Sequence, residues 1–264
     1  VSNIIIATPR LSDNSILTVD SEKLNFEVAN LQTFQPSKVW RDESGVSTLV
    51  SDLGSIKAIN VISLLYSNAS SVATWRIRIA NTLLGLTSSP TYDSGVISFW
   101  PSASLEFWDR ISGYHILDTV VNGQFVQIDL SDPTNSKGYF QAGRICIDAA
   151  WQPTKNISYQ WQISVKDDST NKMTHGGNIV VNSLGKRRVL EFTLGFLNED
   201  EMFDYAFALD RERGQSKPVL VIPNPANMDR IHDQAVYGVM TELSPIINTR
   251  YSIFEKRYSV EEAI

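Results

Sequence analysis

A two-residue hydrophobic alternation constrains this chain more than any other feature, recurring along most of its 264 residues. "LNFEV" (24–28), "WRIRIA" (75–80), "QFVQIDL" (124–130) and "YFQAGRICI" (139–147) each put apolar residues on one face. Successive side chains of a strand point to opposite sides, so each run predicts a strand with one buried face. In "WRIRIA", Trp75, Ile77 and Ile79 face one way and Arg76 and Arg78 the other; in "GRICI", Ile145 and Ile147 point inward, with Arg144 and Cys146 opposite. "IKAINVISLLYS" (56–67) is more evenly apolar, as expected of a strand buried on both sides. Turn-rich segments such as "SDNS", "DLGS" and "SDPTNSKG" separate the runs. Asn122-Gly123 predicts a hairpin turn, because both central residues of that turn need positive φ. Short strands so spaced predict a β-sandwich or jelly roll from about residue 15 to about 150.

The texture changes after "WQPTKNISYQWQISV". A polar, turn-rich stretch (166–177) leads into "NIVVNS", "RRVLEFTLGFL", one helix, and "KPVLVIPNP". We place two domains, 1–155 and 156–264, the second a β-sandwich or barrel carrying one packed helix over about 198–213. Asn198 is the expected N-cap, with Glu201 three residues on completing a capping box. Glu199 and Asp200 complement the positive end of the helix dipole, Arg211 and Arg213 the other end, and Gly214 is the stop. Leu197 and Met202 suit a hydrophobic staple, and Met202, Phe203, Ala206 and Leu209 form the apolar stripe, flanked by Tyr205 and Phe207. The final "RYSIFEKRYSVEEAI" alternates as a last strand.

Composition limits the function. A net charge of −6 argues against a nucleic-acid binder. The single cysteine, Cys146, excludes an internal disulfide and a cysteine-rich metal site, and reads as a buried small hydrophobe. "IIIA" near the start is too short for a signal or membrane segment, so we expect synthesis in a cytoplasm without export or membrane insertion, and give little weight to the glycosylation patterns at Asn68 and Asn156. There is no Gly-rich phosphate loop, no HExxH and no GxSxG. His115, His175 and His232 are scattered in polar or turn contexts, and Asp167-Asp168 reads as a solvated turn. No enzyme, cofactor or metal is therefore expected.

Two groups of residues are candidates for binding. Trp100 and Trp108 flank a loop and, with Tyr92, could stack on a sugar ring if exposed, although core packing is the plainer role for both tryptophans. Lys186, Arg187 and Arg188 could contact a partner, although such a run commonly marks a solvated strand end.

"NLQTFQPSKVWRDESGVSTLVSDLGSIKAINVISLLYSNAS" resembles discoidin-like, galactose-binding-like jelly rolls. The resemblance implies that Trp40 plugs the open end of the barrel and that Asp52-Leu53-Gly54 ends one strand and turns into the next. "VWRDES", "GRICIDAAWQPTKN", "RRVLEFTLGFLNEDEM" and "KPVLVIPNP…VYGVM", in that order, resemble structural proteins in the tail tip of long-tailed bacteriophages and related particles. There a discoidin-like domain precedes a module similar to tail-tube and distal-tail proteins. The resemblance implies a virion structural protein of a tail tip or baseplate. It would be made in a bacterial host cytoplasm and assembled, as a homo-oligomer or ring, with tube, hub or fibre proteins. The alternative expectation is a carbohydrate-binding module that recognises a host surface glycan.

Overall fold

A computed structural model describes residues 3–102 and 109–264. It is mainly β and divides into two compact units: Val1–Gln152 with Leu220–Ala235, and Pro153–Val219 with Val236–Ile264. The second unit is thus interrupted, because residues 220–235, including most of "PVLVIP", group with the first.

The first unit carries β1 (Ile5–Ala7), β2 (Ile16–Val19), β3 (Trp40–Arg41), β4 (Val46–Ser67), β5 (Thr74–Ala80), β6 (Tyr92–Ser98), β7 (Ile111–Ser131), β8 (Gln141–Ala142) and β9 (Arg144–Asp148). An antiparallel sheet runs β2-β4-β7-β5-β6. β4 and β7 pair along most of their length, with a register break between Asp52 and Lys57; beyond it, β9 pairs with β4. The two long strands therefore serve both parts of a jelly-roll sandwich. Its core gathers Trp40, Trp75, Phe99 and Phe140 with Ile62, Ile77, Ile128 and Ile145. The Phe99 ring lies 5.0 Å from Trp75 and 5.5 Å from Phe140. Burying each such side chain contributes roughly 1.5–3 kcal/mol.

Several expectations change. Asp52-Leu53-Gly54 does not end a strand: β4 passes through it with a bulge, Gly54 at φ +73° and its N–H donating to Asp52 Oδ1. Asn122-Gly123 is no hairpin turn but lies inside β7, opposite Ala58 and Lys57. "LNFEV" is not a strand; Asn25 has φ +69° and a 3-10 helix starts at Val28. "YFQAGRICI" breaks at Gly143, where a Cβ would sit 2.3 Å from the Pro36 carbonyl oxygen. Arg144 is fully buried, donating to the carbonyls of Leu31 and Thr33 and paired with Asp13. Trp40, Trp75, Ile77, Ile79 and Cys146 are buried as expected.

The second unit begins with β10 (Gln162–Asp167), β11 (Thr170–Met173), β12 (Ile179–Asn182) and β13 (Lys186–Leu197). The helix follows as a π segment, Glu201–Phe207, and an α segment, Ala208–Arg213. β14 (Val219–Ile222) then pairs with β1 in the first unit, Ile222 opposite Ile5. β15 (Val236–Met240), β16 (Ile247–Arg250) and β17 (Ile253–Glu262) complete the second unit. Its antiparallel sheet places β10 beside β13, β13 beside β17, and β15 and β16 along the other edge of β17.

The helix closes one face of that sheet. Met202, Ala206 and Leu209 are buried, as are Leu190, Phe192, Leu194 and Tyr258 of the strands. The Tyr258 hydroxyl donates to the Ala206 carbonyl at 3.4 Å, and Lys256 Nζ meets Asp210 at 2.5 Å. The capping box forms: Glu201 N–H donates to Asn198 Oδ1 at 2.7 Å, and Asn198 N–H to Glu201 Oε2 at 3.4 Å. Phe203 leaves the expected stripe for its rim, half-exposed, with its ring 5.7 Å from Phe254.

Candidate binding surfaces

The alternation that buries Trp75, Ile77 and Ile79 projects their neighbours onto the outer face of the jelly-roll sheet. Strand register arranges these neighbours in rows. One row reads Thr48, Asp129, Arg76, Val96; the next reads Val50, Gln127, Arg78, Asp93; a third reads Val46, Ser131, Thr74, Ser98. Side chains within and between rows are already bonded. Arg76 holds Asp93 through two nitrogens, at 2.9 and 2.5 Å. Arg78 Nη2 reaches Asp129 Oδ2 at 2.6 Å, while Thr48 Oγ1 and Gln127 Nε2 both donate to Asp129 Oδ1. The Arg76 hydrogen bond holds the Asp93 carboxyl down at about 2, and Asp93 in turn raises Arg76. Both ions therefore keep their charge at any physiological pH.

A shallow groove of about 280 Å³ runs over the first and third rows, lined by Thr48, Thr74, Arg76, Asp129 and Ser131, with exposed Val46 and Val96 on its rims. Two guanidinium groups balance two carboxylates across this face. It thus offers fixed donors and acceptors side by side without favouring an ion of either sign.

The residues nominated from sequence do not converge. Tyr92 and Trp100 stand at opposite ends of β6, opposite Ile79 and beyond the Thr74 end respectively, a separation of roughly 25 Å at the rise of a strand. Both are partly buried against the core. The Tyr92 hydroxyl lies 2.8 Å from His115 Nε2, and Trp100 Nε1 donates to the Ala69 carbonyl at 3.0 Å. Burial raises Tyr92 and lowers His115 from their usual ranges, so both are neutral near pH 7. Trp108 lies outside the described residues. His175 lies in an exposed turn as expected, whereas His115 is on β7 and His232 is buried.

The basic run is engaged within its own unit. Lys186 sits 3.7 Å from Asp167, Arg187 pairs with Asp168 and, at 2.8 Å, with Glu261, and buried Arg188 grips Glu262 at 2.5 and 3.0 Å. Sequence reading missed a different feature nearby. The stretch read as polar and turn-rich enters a two-stranded ribbon, β11–β12, which pairs with no other strand among the described residues. Met173 stands opposite Ile179 and Asn171 opposite Val181, so Met173, Ile179 and Val181 share one face, and all three are exposed.

Among the described residues, no group of three or more His, Cys, Asp or Glu side chains is placed to hold a metal ion and no helix is long and apolar enough to cross a membrane.

No protein family and no curated protein matches the chain. Among solved structures, a family 32 carbohydrate-binding module of NanJ from Clostridium perfringens, in complex with galactose, is 10% identical with a TM-score of 0.42, covering 54% of this chain and 98% of that one. A chitosan-binding module from a Paenibacillus chitosanase/glucanase is 16% identical, TM-score 0.38, covering 52% and 96%. A family 32 module of AlyQ, in complex with 4,5-unsaturated mannuronic acid, is 17% identical, TM-score 0.39, covering 51% and 94%.

Proposed function

We infer that the protein is a non-catalytic recognition protein whose jelly roll binds an uncharged saccharide on the outer face of its sheet. The carrying observation is the groove lined by Thr48, Thr74, Arg76, Asp129 and Ser131, in which Asp93 holds Arg76 from the side while buried Gln127 and the largely covered Arg78 hold Asp129 in place. A pyranose presents hydroxyl groups that each donate and accept, and a surface with both functions already oriented loses little freedom when it binds them. The valines on the rims offer apolar contact to sugar C–H faces. The array balances its charges, which disfavours phosphate or nucleic acid as the ligand.

A glycan array probed with the full chain tests this reading. We expect binding to neutral oligosaccharides at this face, read from ligand-induced shifts of the Thr48, Arg76 and Asp129 amides, to fall at least about tenfold in Arg78→Ala and in Asp129→Ala, the free-energy equivalent of one lost charge-assisted hydrogen bond. Unchanged circular dichroism in both variants would keep the result attributable to the face. Binding at these amides that survives both substitutions, or no binding to any neutral glycan, overturns it.

A second reading is favoured by the ribbon β11–β12. Its apolar face is one that a neighbouring protein would cover, which supports a role as a subunit of a larger assembly. The tail-tip resemblance is the particular form of that reading, with a phage virion as its place and tube, hub or fibre proteins as neighbours. Particle reconstruction showing the chain in a tail would support that form, and its absence from particles would remove it. The two readings are compatible, since one unit can recognise a glycan while the other docks.

A further inference from the structure

The helix covers one face of the second unit's sheet, and the same alternation sends a different set of side chains to the other face. Leu190, Phe192 and Leu194 lie buried on the helix side, while Glu191 and Thr193 alternate with them along β13. Arg257 and Glu255 alternate likewise with buried Lys256 and Tyr258 on β17. Gln162 stands opposite Glu191, and Thr193 opposite Arg257. These residues line a groove of about 440 Å³ that Ser158, Tyr159 and Gln160 also border, a size typical of small-ligand clefts.

The groove's polar floor is assembled. Gln162 Nε2 donates to Glu191 Oε2 at 2.9 Å, and Arg257 Nη2 reaches the same oxygen at 2.5 Å. Glu191 Oε1 accepts no hydrogen bond from the described residues. The two donors hold Glu191 below the usual carboxylate range, so it accepts rather than donates at neutral pH. With Glu255 also present, carboxylates outnumber the single guanidinium.

The rim carries strain and an uncovered ring. Ser158 N–H is anchored to the Thr193 carbonyl at 2.8 Å, and β10 begins at Gln162. Between these fixed points Gln160 adopts φ +75°, a left-handed conformation that a glutamine enters only at a cost. Beside it the Tyr159 side chain is 99% exposed. Nothing in the unit's packing requires an aromatic ring at this position, since it buries none of it. A tyrosine held out at the lip of a groove floored by an amide, a carboxylate and a guanidinium matches what a sugar ring needs: an apolar plane to stack on and hydrogen-bonding groups at its edge.

We propose that this groove on the second unit is a saccharide site for a neutral pyranose, with Tyr159 stacking on the ring and Glu191, Arg257 and Gln162 bonding its hydroxyl groups. It is separate from the jelly-roll face, and neither site needs the other. The excess of carboxylates turns away uronates and phosphates.

Chemical-shift mapping of the isotope-labelled full chain tests both sites at once. The probes are the methyl glycosides of glucose, galactose and N-acetylglucosamine, with methyl glucuronide as the acidic comparison. Expected are saturable shifts at Ser158–Gln162, Glu191, Thr193 and Arg257 with at least one neutral glycoside, and none with the glucuronide. Tyr159→Ala, which removes no buried contact, should weaken binding about tenfold or more, and Arg78→Ala should leave these shifts unchanged. Shifts confined to residues around Arg76, Arg78 and Asp129 would overturn this site while supporting the jelly-roll one; shifts confined to the second unit would do the reverse. Affinity unmoved by Tyr159→Ala, or tighter binding of the glucuronide, also overturns it.

Discussion

Gly123 is required for a reason other than the one its sequence context implies. Paired with Asn122 it reads as a turn, yet it sits mid-strand with Ile79 pressed against it: an added Cβ would lie 2.3 Å from Ile79 Cγ2. Gly123→Ala therefore forces β5 and β7 apart or drives Ile79 off its rotamer, and should lower stability by about 1–3 kcal/mol in a denaturant melt. Asp148 gives a second prediction at this scale. Burial pushes its carboxyl up to about 6, against hydrogen bonds from Thr8 N–H at 2.6 Å and Thr8 Oγ1 at 3.2 Å that pull the other way. Unfolded, the same group titrates near 3.9. Between those values the native state holds more protons than the unfolded one. This group's contribution is thus greatest below about pH 4 and is lost as pH rises through about 6, a change on the order of 3 kcal/mol. Asp148→Asn stays neutral and keeps an acceptor for Thr8. The variant should flatten this part of the stability profile and melt higher than the parent at pH 7.

At the scale of the element, the helix and its cap were legible because every signal is local. Asn198 and Glu201 are three residues apart and bond as a capping box must, and Gly214 takes φ +49° at the stop. The cap also does something no local pattern records: Glu201 Oε1 accepts from Thr154 N–H at 2.6 Å and Thr154 Oγ1 at 2.7 Å, tying down the start of the unit. Asn198→Ala should cost about 1 kcal/mol, the usual worth of an N-cap. Glu201→Ala should cost more, because it also removes the carboxylate that accepts from Thr154 N–H and Oγ1, and thermal melts of the two variants check the order. The outer sheet rows were half legible: period two put Arg76 and Arg78 on one face. Their alignment with Asp93 and Asp129 depends on which strands become neighbours, and alternation is silent on that. The same limit hid Arg188 with Glu262, 74 positions apart, so the pairing of the Lys186–Arg188 run within its own unit was not legible. Trp100 and Tyr92 were nominated as exposed aromatics, whereas Tyr159, the more exposed ring, lay in a stretch whose conformation no periodicity fixes.

For the molecule as a whole, the ribbon is the element whose exposed apolar face its own unit does not cover. Two strands alone are marginal in water, and this pair keeps Met173 74% and Ile179 65% exposed on one face. β10, which precedes the ribbon in the chain, pairs on one side only among the described residues, with Val165 67% exposed. Uncovered apolar surface and an unpaired strand edge are the features that recruit another chain. A second copy is one occupant such a face can take, and a heterologous contact of this kind can close into a ring or run on as a filament. The full chain should therefore sediment with a concentration-dependent mass above that of the monomer. Ile179→Lys with Val181→Lys places two like charges on the apolar face of the ribbon and should hold the chain monomeric. Val180→Thr, on the opposite face beside Lys172, should leave association intact. Neither change touches either unit's core, so both variants should melt with the parent. A parent that stays monomeric at high micromolar concentration, or a double lysine variant that still associates, would refute self-association through the ribbon.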